Sequence, residues 1–171
     1  MRLNSITHRR LSVAIVLFSW GSVGVALFTQ HVLGMQPCPW CIAQRILYLL
    51  CGALAMLAAL PPVRSSAGRV IATLFSATGI VAAGGALVTA LYQHFVAAAS
   101  GSCAVTAADR FLMDTDLADW LPEVFEPRAS CAEADQALIG LPYSIWSAIL
   151  AVILLVLGGL ALRALWRSRA R

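Results

Sequence analysis

Two cysteines separated by two residues, Cys38 and Cys41 in Gln36-Pro37-Cys38-Pro39-Trp40-Cys41-Ile42, lie at the junction of two long apolar runs, and Arg45 follows the second by four positions. A disulfide across so short a loop hardly restrains an unfolded chain, so its value as a staple is small. The spacing favours thiol chemistry. Ile42 leads straight into an apolar run, which puts Cys41 at or beside a helix N-terminus, where the positive end of the dipole stabilises thiolate. Arg45 then shares a helical face with Cys41. Its guanidinium either stabilises a thiolate or an anionic ligand, or extends to a membrane interface. A c-type haem needs His directly after the second cysteine, where Ile42 stands, and a thioredoxin-like domain needs a βαβ pattern that is missing around the motif. The other two candidate thiols, Cys103 and Cys131, are far apart in sequence and lie among acids, an arrangement unlike a zinc knuckle, so no metal is expected.

Hydropathy sets the elements that position these thiols. Of the 171 residues, 60% are hydrophobic and 12% charged, whereas soluble domains are about 25% charged. Four apolar runs, at about 11–28, 42–60, 70–92 and 142–162, are long enough to cross a bilayer as helices. The expected fold is all-α: a four-helix transmembrane bundle, one membrane domain over residues 1–171, with the lipid bilayer as a partner. The first run is longer than a signal-peptide core and no clean small-x-small site follows it, so it reads as a span. Nine of the twelve arginines fall in the N-terminal tail, in the loop between runs two and three, and in the C-terminal tail. By the positive-inside rule these segments, and so both termini, are cytoplasmic. All eight acids lie between Asp109 and Asp135, within the segment at about 96–141. That segment and the loop at about 29–41 face the outer compartment. The basic balance, with a pI near 9.1, is thus an orientation signal and points to no nucleic acid.

Cys38, Cys41, Cys103 and Cys131 all fall in the two outer loops, where disulfides are permitted. Two structural staples remain open as a reading. Cys51 sits alone inside run two as a small apolar residue. In the acidic loop, Phe111, Leu112, Leu117, Trp120, Leu121, Val124 and Phe125 recur at helix-like spacing among the acids, which predicts a short amphipathic helix or helices interrupted near Pro122. Ser100-Gly101-Ser102 before Cys103 suits exchange with a partner. Gly21, Gly24, Gly79, Gly84 and Gly85 are expected to permit close helix packing.

Several motifs together are similar to the disulfide bond formation protein B (DsbB) family of bacterial inner-membrane thiol oxidases. They are Gln30-His31-Val32; Pro37-Cys38-x-x-Cys41 with Arg45; Tyr92-x-His94; and Trp120-Leu121-Pro122-x-Val124-Phe125 leading to Cys131-Ala132-Glu133. The resemblance implies a multi-pass inner-membrane protein with both redox loops periplasmic. Its partner is a periplasmic DsbA-like thiol oxidase, and its electron acceptor is membrane quinone, ubiquinone or menaquinone. DsbA is so strong an oxidant that a glutathione couple cannot reoxidise it, which is why such an acceptor is needed. The resemblance further implies that the partner attacks Cys103 of a Cys103–Cys131 disulfide, that Cys131 then attacks Cys38, and that Cys41 delivers electrons to quinone with Arg45 stabilising the developing charge. His94 and His31, near the outer ends of runs three and one, are candidates to line the quinone site. Pro39-Trp40 between the paired cysteines falls where the family pattern is variable. A quinone-linked reductase resembling vitamin K epoxide reductase normally carries its cysteine pair in a late helix, and run four has none. A non-enzymatic scaffold with two permanent disulfides is the other alternative.

Overall fold

The computed structural model describes residues 2–63, 65–100 and 107–167. Among the described residues four helices are long and apolar enough to cross a membrane: α1 (Arg2–Leu33), α2 (Pro39–Ala59), α3 (Ser66–Tyr92), which continues through a π turn (Gln93–Ala97) and α4 (Ala98–Ser100), and the final helix α9 (Tyr143–Arg167). Between α4 and α9 come α5 (Ala107–Thr115), α6 (Leu117–Trp120), α7 (Pro122–Phe125), α8 (Cys131–Ala134) and a small antiparallel hairpin, β1 (Ala137–Leu138) and β2 (Leu141–Pro142). The expected all-α membrane bundle with short helices in its long loop is met, and the chain is a multi-pass membrane protein.

The spans differ in extent from the apolar runs. The first runs from Ile6 to Leu33, because Thr29 and Gln30 turn inward, 4% and 2% exposed, instead of ending the helix. The second begins at Pro39, where a missing backbone N–H costs a first helical turn nothing. The third extends to Ala97 through the π turn.

The chain packs into two compact units. One contains residues 1–22, 47–85 and 150–171. Its core is built from small side chains, with Ala58, Ala72, Ala83, Ala151 and Ala161 almost wholly covered, as expected where helices associate without water to exclude. The glycines that matter for its packing are Gly52 and Gly158. A Cβ on Gly52 would run into the Trp20 indole, whose Nε1 donates to the Leu49 carbonyl at 3.1 Å; a Cβ on Gly158 would lie 2.8 Å from Ile80 Cγ1. The expectation for Gly21, Gly24 and Gly84 is corrected, since a Cβ there meets nothing within 4 Å; Gly79 and Gly85 make only ordinary contacts. His8, fully buried, sets its ring nitrogens 3.1 Å from the Ala58 carbonyl and 3.3 Å from that of Ala161. Cys51 is buried, with its thiol donating to the Gly79 carbonyl at 3.6 Å.

The second unit contains residues 23–46 and 86–149. Gly34 closes α1 in the left-handed region (φ +70°), and Met35 N donates to the Thr29 carbonyl at 3.1 Å. This helix-ending turn suits glycine. It delivers Pro37, whose carbonyl accepts from the backbone of Arg128 at 2.9 Å and of Ala129 at 3.2 Å. The cysteine-bearing loop is thereby joined to the acidic segment. A reciprocal capping box between Ser130 and Glu133 starts α8 and makes Cys131 its first residue. Leu112 and Phe125 supply the buried face of the acidic segment, while Trp120 is 84% exposed. As expected, the helical run breaks at Pro122, which opens α7; a second break falls at Asp116, with φ +50°.

Candidate redox site

Cys38 immediately precedes α2, and its sulphur accepts a hydrogen bond from Cys41 N at 3.3 Å. That bond holds Cys38 Sγ 3.0 Å from Cys41 Sγ. Cys38 is wholly buried, whereas Cys41 is half-buried. Cys131 brings a third sulphur within hydrogen-bonding reach of Cys38 and of the Trp40 backbone N–H. Cys38 is therefore the sulphur common to both neighbours. Its hydrogen bonds to Cys131 and Cys41, with burial, push its thiol far above the usual range. Cys131 is shifted the opposite way: the bond from Cys38 and the Trp40 N–H lower it, against burial and the charges of Cys41 and Asp109. Cys103 lies outside the described residues.

Arg45 is 6% exposed, its guanidinium held inside the protein rather than turned to solvent. Its Nη1 donates to Gln30 Oε1 at 2.7 Å and to the Val124 carbonyl at 2.9 Å. Both acceptors are neutral, and among the described residues no carboxylate pairs with this guanidinium. Its electrostatic neighbours are Cys41, Tyr143 and Cys38. A buried cation is costly until a counter-charge arrives, so negative charge formed at Cys41 is what this arrangement favours.

A chain of buried hydrogen bonds ends on the same sulphur. Ser147 Oγ donates to Gln44 Oε1 at 2.5 Å, Gln44 Nε2 to Gln93 Oε1 at 2.7 Å, and Gln93 Nε2 to Cys41 Sγ at 3.3 Å. Every donor points the same way, so the dipoles reinforce one another toward Cys41. The π turn that begins at Gln93 takes an extra residue into the helical turn. Gln93 itself is 1% exposed. Beside it, the Trp40 ring packs at 4.8 Å on Tyr92, and Trp40 Nε1 and Gln36 Oε1 are buried with no hydrogen-bond partner.

A family model described as "Disulfide bond formation protein DsbB" matches residues 8–161. The chain belongs to the DsbB family. Similar relatives include the "Disulfide bond formation protein B" of Ralstonia nicotianae, 34% identical over 155 residues that cover 90% of this chain and 91% of that protein. That of Nitrosomonas europaea is 31% identical, covering 95% of each. The "Disulfide bond formation protein B 1" of Pseudomonas entomophila is 31% identical and covers 99% of this chain and 96% of that one. Membership in the DsbB family makes this a membrane protein of disulfide bond formation, with an oxidoreductase role and a disulfide-forming partner.

In this DsbB-family chain the expected site residues divide into two groups. Cys38, Cys41, Cys131 and Arg45 come together around the start of α2. His94 instead turns its Nδ1 to Asp135 Oδ2 at 3.1 Å and Ser144 Oγ at 3.0 Å. Asp135 also accepts from Ser144 N at 2.9 Å, so it ties the π turn to the first turn of α9. The exposed His31 lies 3.7 Å from Glu123 Oε2. Sequence reading missed Gln44, Gln93, Ser147 and the acceptor role of Gln30. Their signal was present, since a glutamine inside a spanning helix is expensive and faces a partner.

Proposed function

We propose that this DsbB-family protein is an inner-membrane protein-dithiol:quinone oxidoreductase. It reoxidises a DsbA-like periplasmic oxidase, and has both termini cytoplasmic and its redox loops periplasmic. The observation that carries the reading is the place of Cys38, whose sulphur is within reach of Cys41 and Cys131 alike.

A thiolate of the partner attacks Cys103 of a Cys103–Cys131 disulfide, forming a mixed disulfide through Cys103 and releasing Cys131. Its lowered pKa makes Cys131 a good leaving group. Cys131 next attacks Cys38 of a Cys38–Cys41 disulfide, giving Cys38–Cys131 and freeing Cys41 as thiolate beside Arg45 and the Gln93 amide. The partner's second thiolate resolves the mixed disulfide, and the partner leaves oxidised. Cys103 then attacks Cys131, restoring Cys103–Cys131 and returning Cys38 to the reduced state. Two electrons now reside on Cys38 and Cys41.

A bound membrane quinone, ubiquinone or menaquinone, supplies the acceptor for those two electrons and the accompanying two protons. The residues present fit such a group. Trp40 Nε1 is a buried donor without an acceptor, and Arg45 is a buried cation whose partners are neutral. Cys41, Arg45 and Trp40 are the groups proposed to face it. His94 and His31 hold the surrounding loop.

The test is oxidation of a reduced DsbA-like dithiol by the purified protein, followed by thiol counting and quinone absorbance. Equimolar dithiol oxidation and quinone reduction, lost on quinone extraction, is the expected result. A protein with only structural disulfides would oxidise nothing with or without quinone. For orientation, labelling should find residues near Arg69 and Asp114 on opposite sides; finding them on one side would overturn the topology.

A further inference from the structure

The unit made of residues 1–22, 47–85 and 150–171 holds nine of the twelve arginines and none of the eight Asp and Glu side chains, all of which lie between Asp109 and Asp135. Its positive charge has no side-chain counter-charge of its own. Within it a groove of about 340 Å3 lies between the start of α3 and the end of α9.

The groove is amphiphilic along its length. Ser66, Arg69 and Thr73 recur at helical spacing and so share one face of α3. Arg69 is partly buried, and among the described residues no carboxylate pairs with it. Val70 and Leu74 line the same groove with Trp166 opposite, and these three are 58%, 62% and 59% exposed. Leu74 stands five residues further into the span than Arg69, or about 7.5 Å at 1.5 Å per residue. A cationic and hydroxyl-bearing end therefore leads into an apolar wall, with a tryptophan at the level where indoles favour a membrane interface. An acidic peptide would satisfy the guanidinium but leave the apolar wall uncovered. A lipid with a phosphodiester at one end and acyl chains at the other matches both parts.

We propose that this groove binds one anionic glycerophospholipid, its phosphate on Arg69 and Ser66 and an acyl chain along Val70, Leu74 and Trp166. Basic clefts between spanning helices near a charged membrane surface are suited to such headgroups. The site is independent of the redox chemistry at the start of α2.

The full chain should be reconstituted in phosphatidylcholine nanodiscs containing a minor fraction of brominated phosphatidylglycerol or, in parallel, brominated phosphatidylcholine. Tryptophan quenching then reports lipid contact. The wild type should prefer the brominated phosphatidylglycerol roughly five-fold, the preference of a single arginine for an anionic lipid surface. Trp166→Phe should abolish that excess, because its indole is the reporter. Arg69→Gln should remove the preference, and Arg69→Lys should retain most of it. Arg167→Gln, which lowers net charge by the same amount outside the groove, should retain it too. Glycerol phosphate in solution should not relieve the quenching. Equal quenching by the two lipids in the wild type would overturn the proposal. So would equal losses in Arg69→Gln and Arg167→Gln, which mark a diffuse charge effect, or displacement by glycerol phosphate, which marks a plain anion site.

Discussion

Replacing Gln93 with leucine keeps the volume of the side chain while removing the donor that reaches Cys41 Sγ at 3.3 Å. It also strips Gln44 Nε2 of the acceptor it holds at 2.7 Å. A hydrogen bond to a charged acceptor contributes about 1.5–3 kcal/mol, so negative charge on the Cys41 sulphur loses about that much. A step that depends on that charge slows roughly ten- to a hundred-fold. The effect falls on the steps in which Cys41 carries charge, because Gln93 donates to Cys41. Single-turnover quinone reduction by the protein pre-reduced at Cys38 and Cys41 should therefore slow, as should the internal transfer that releases Cys41, while the first exchange of the soluble dithiol partner with Cys103 keeps its rate. Ser147→Ala, two bonds upstream, removes only polarisation passed along the chain, roughly 10–30% of a bond, and should slow the same step no more than about five-fold. Wild-type quinone reduction in a folded Gln93→Leu protein would refute the idea that the amide chain acts on Cys41.

Arg45→Lys should impair quinone use, since an ammonium lacks the planar fork, and Arg45→Ala should impair it further. Turnover against quinone concentration reads this, and unchanged dependence in Arg45→Ala would leave Arg45 structural. Alkylation of the reduced protein should proceed at Cys131 below the pH at which ordinary thiols react, because its lowered pKa keeps it a thiolate there, while Cys38 resists. Cys38→Ala removes the donor that stabilises this thiolate, so its titration should move up; an unmoved profile would contradict the assignment. Gly158→Ala places a Cβ 2.8 Å from Ile80 and should cost about 1–3 kcal/mol of stability. Gly84→Ala, with open space, should be neutral or gain up to about 1 kcal/mol from helix propensity. Thermal unfolding in detergent compares the two, and equal midpoints would show that the Gly158 contact relaxes freely.

The four spans were legible because hydropathy accumulates over a whole helix, and the Cys38, Cys41 and Arg45 relationship because their spacing is local. What escaped depends on neighbours far away in sequence. Gln93 faces Cys41 through a π turn, and a regular helical period does not register the additional residue. The role of Asp135 requires His94 and Ser144 to meet it from two other elements. Glycine spacing along α1 and α3 suggested packing at Gly21, Gly24 and Gly84. The close approaches instead occur at Gly52 and Gly158, where a large side chain, Trp20 or Ile80, happens to lie opposite. Helix ends were drawn short because polar residues there were read as loop. Thr29 and Gln30 remain in α1 since each finds an internal partner: Thr29 donates to the Ala26 carbonyl at 3.0 Å, and Gln30 accepts from Arg45.

The shared position of Cys38 between two thiols is the central claim, and disulfide mapping of a protein carrying both Cys41→Ser and Cys103→Ser tests it most directly. With Cys38, Cys51 and Cys131 remaining, mild oxidation followed by peptide mass spectrometry should find Cys38 joined to Cys131, with Cys51 unmodified in the interior of α2. A protein whose Cys38 and Cys131 stay reduced, or whose Cys38 pairs with Cys51, would contradict the account.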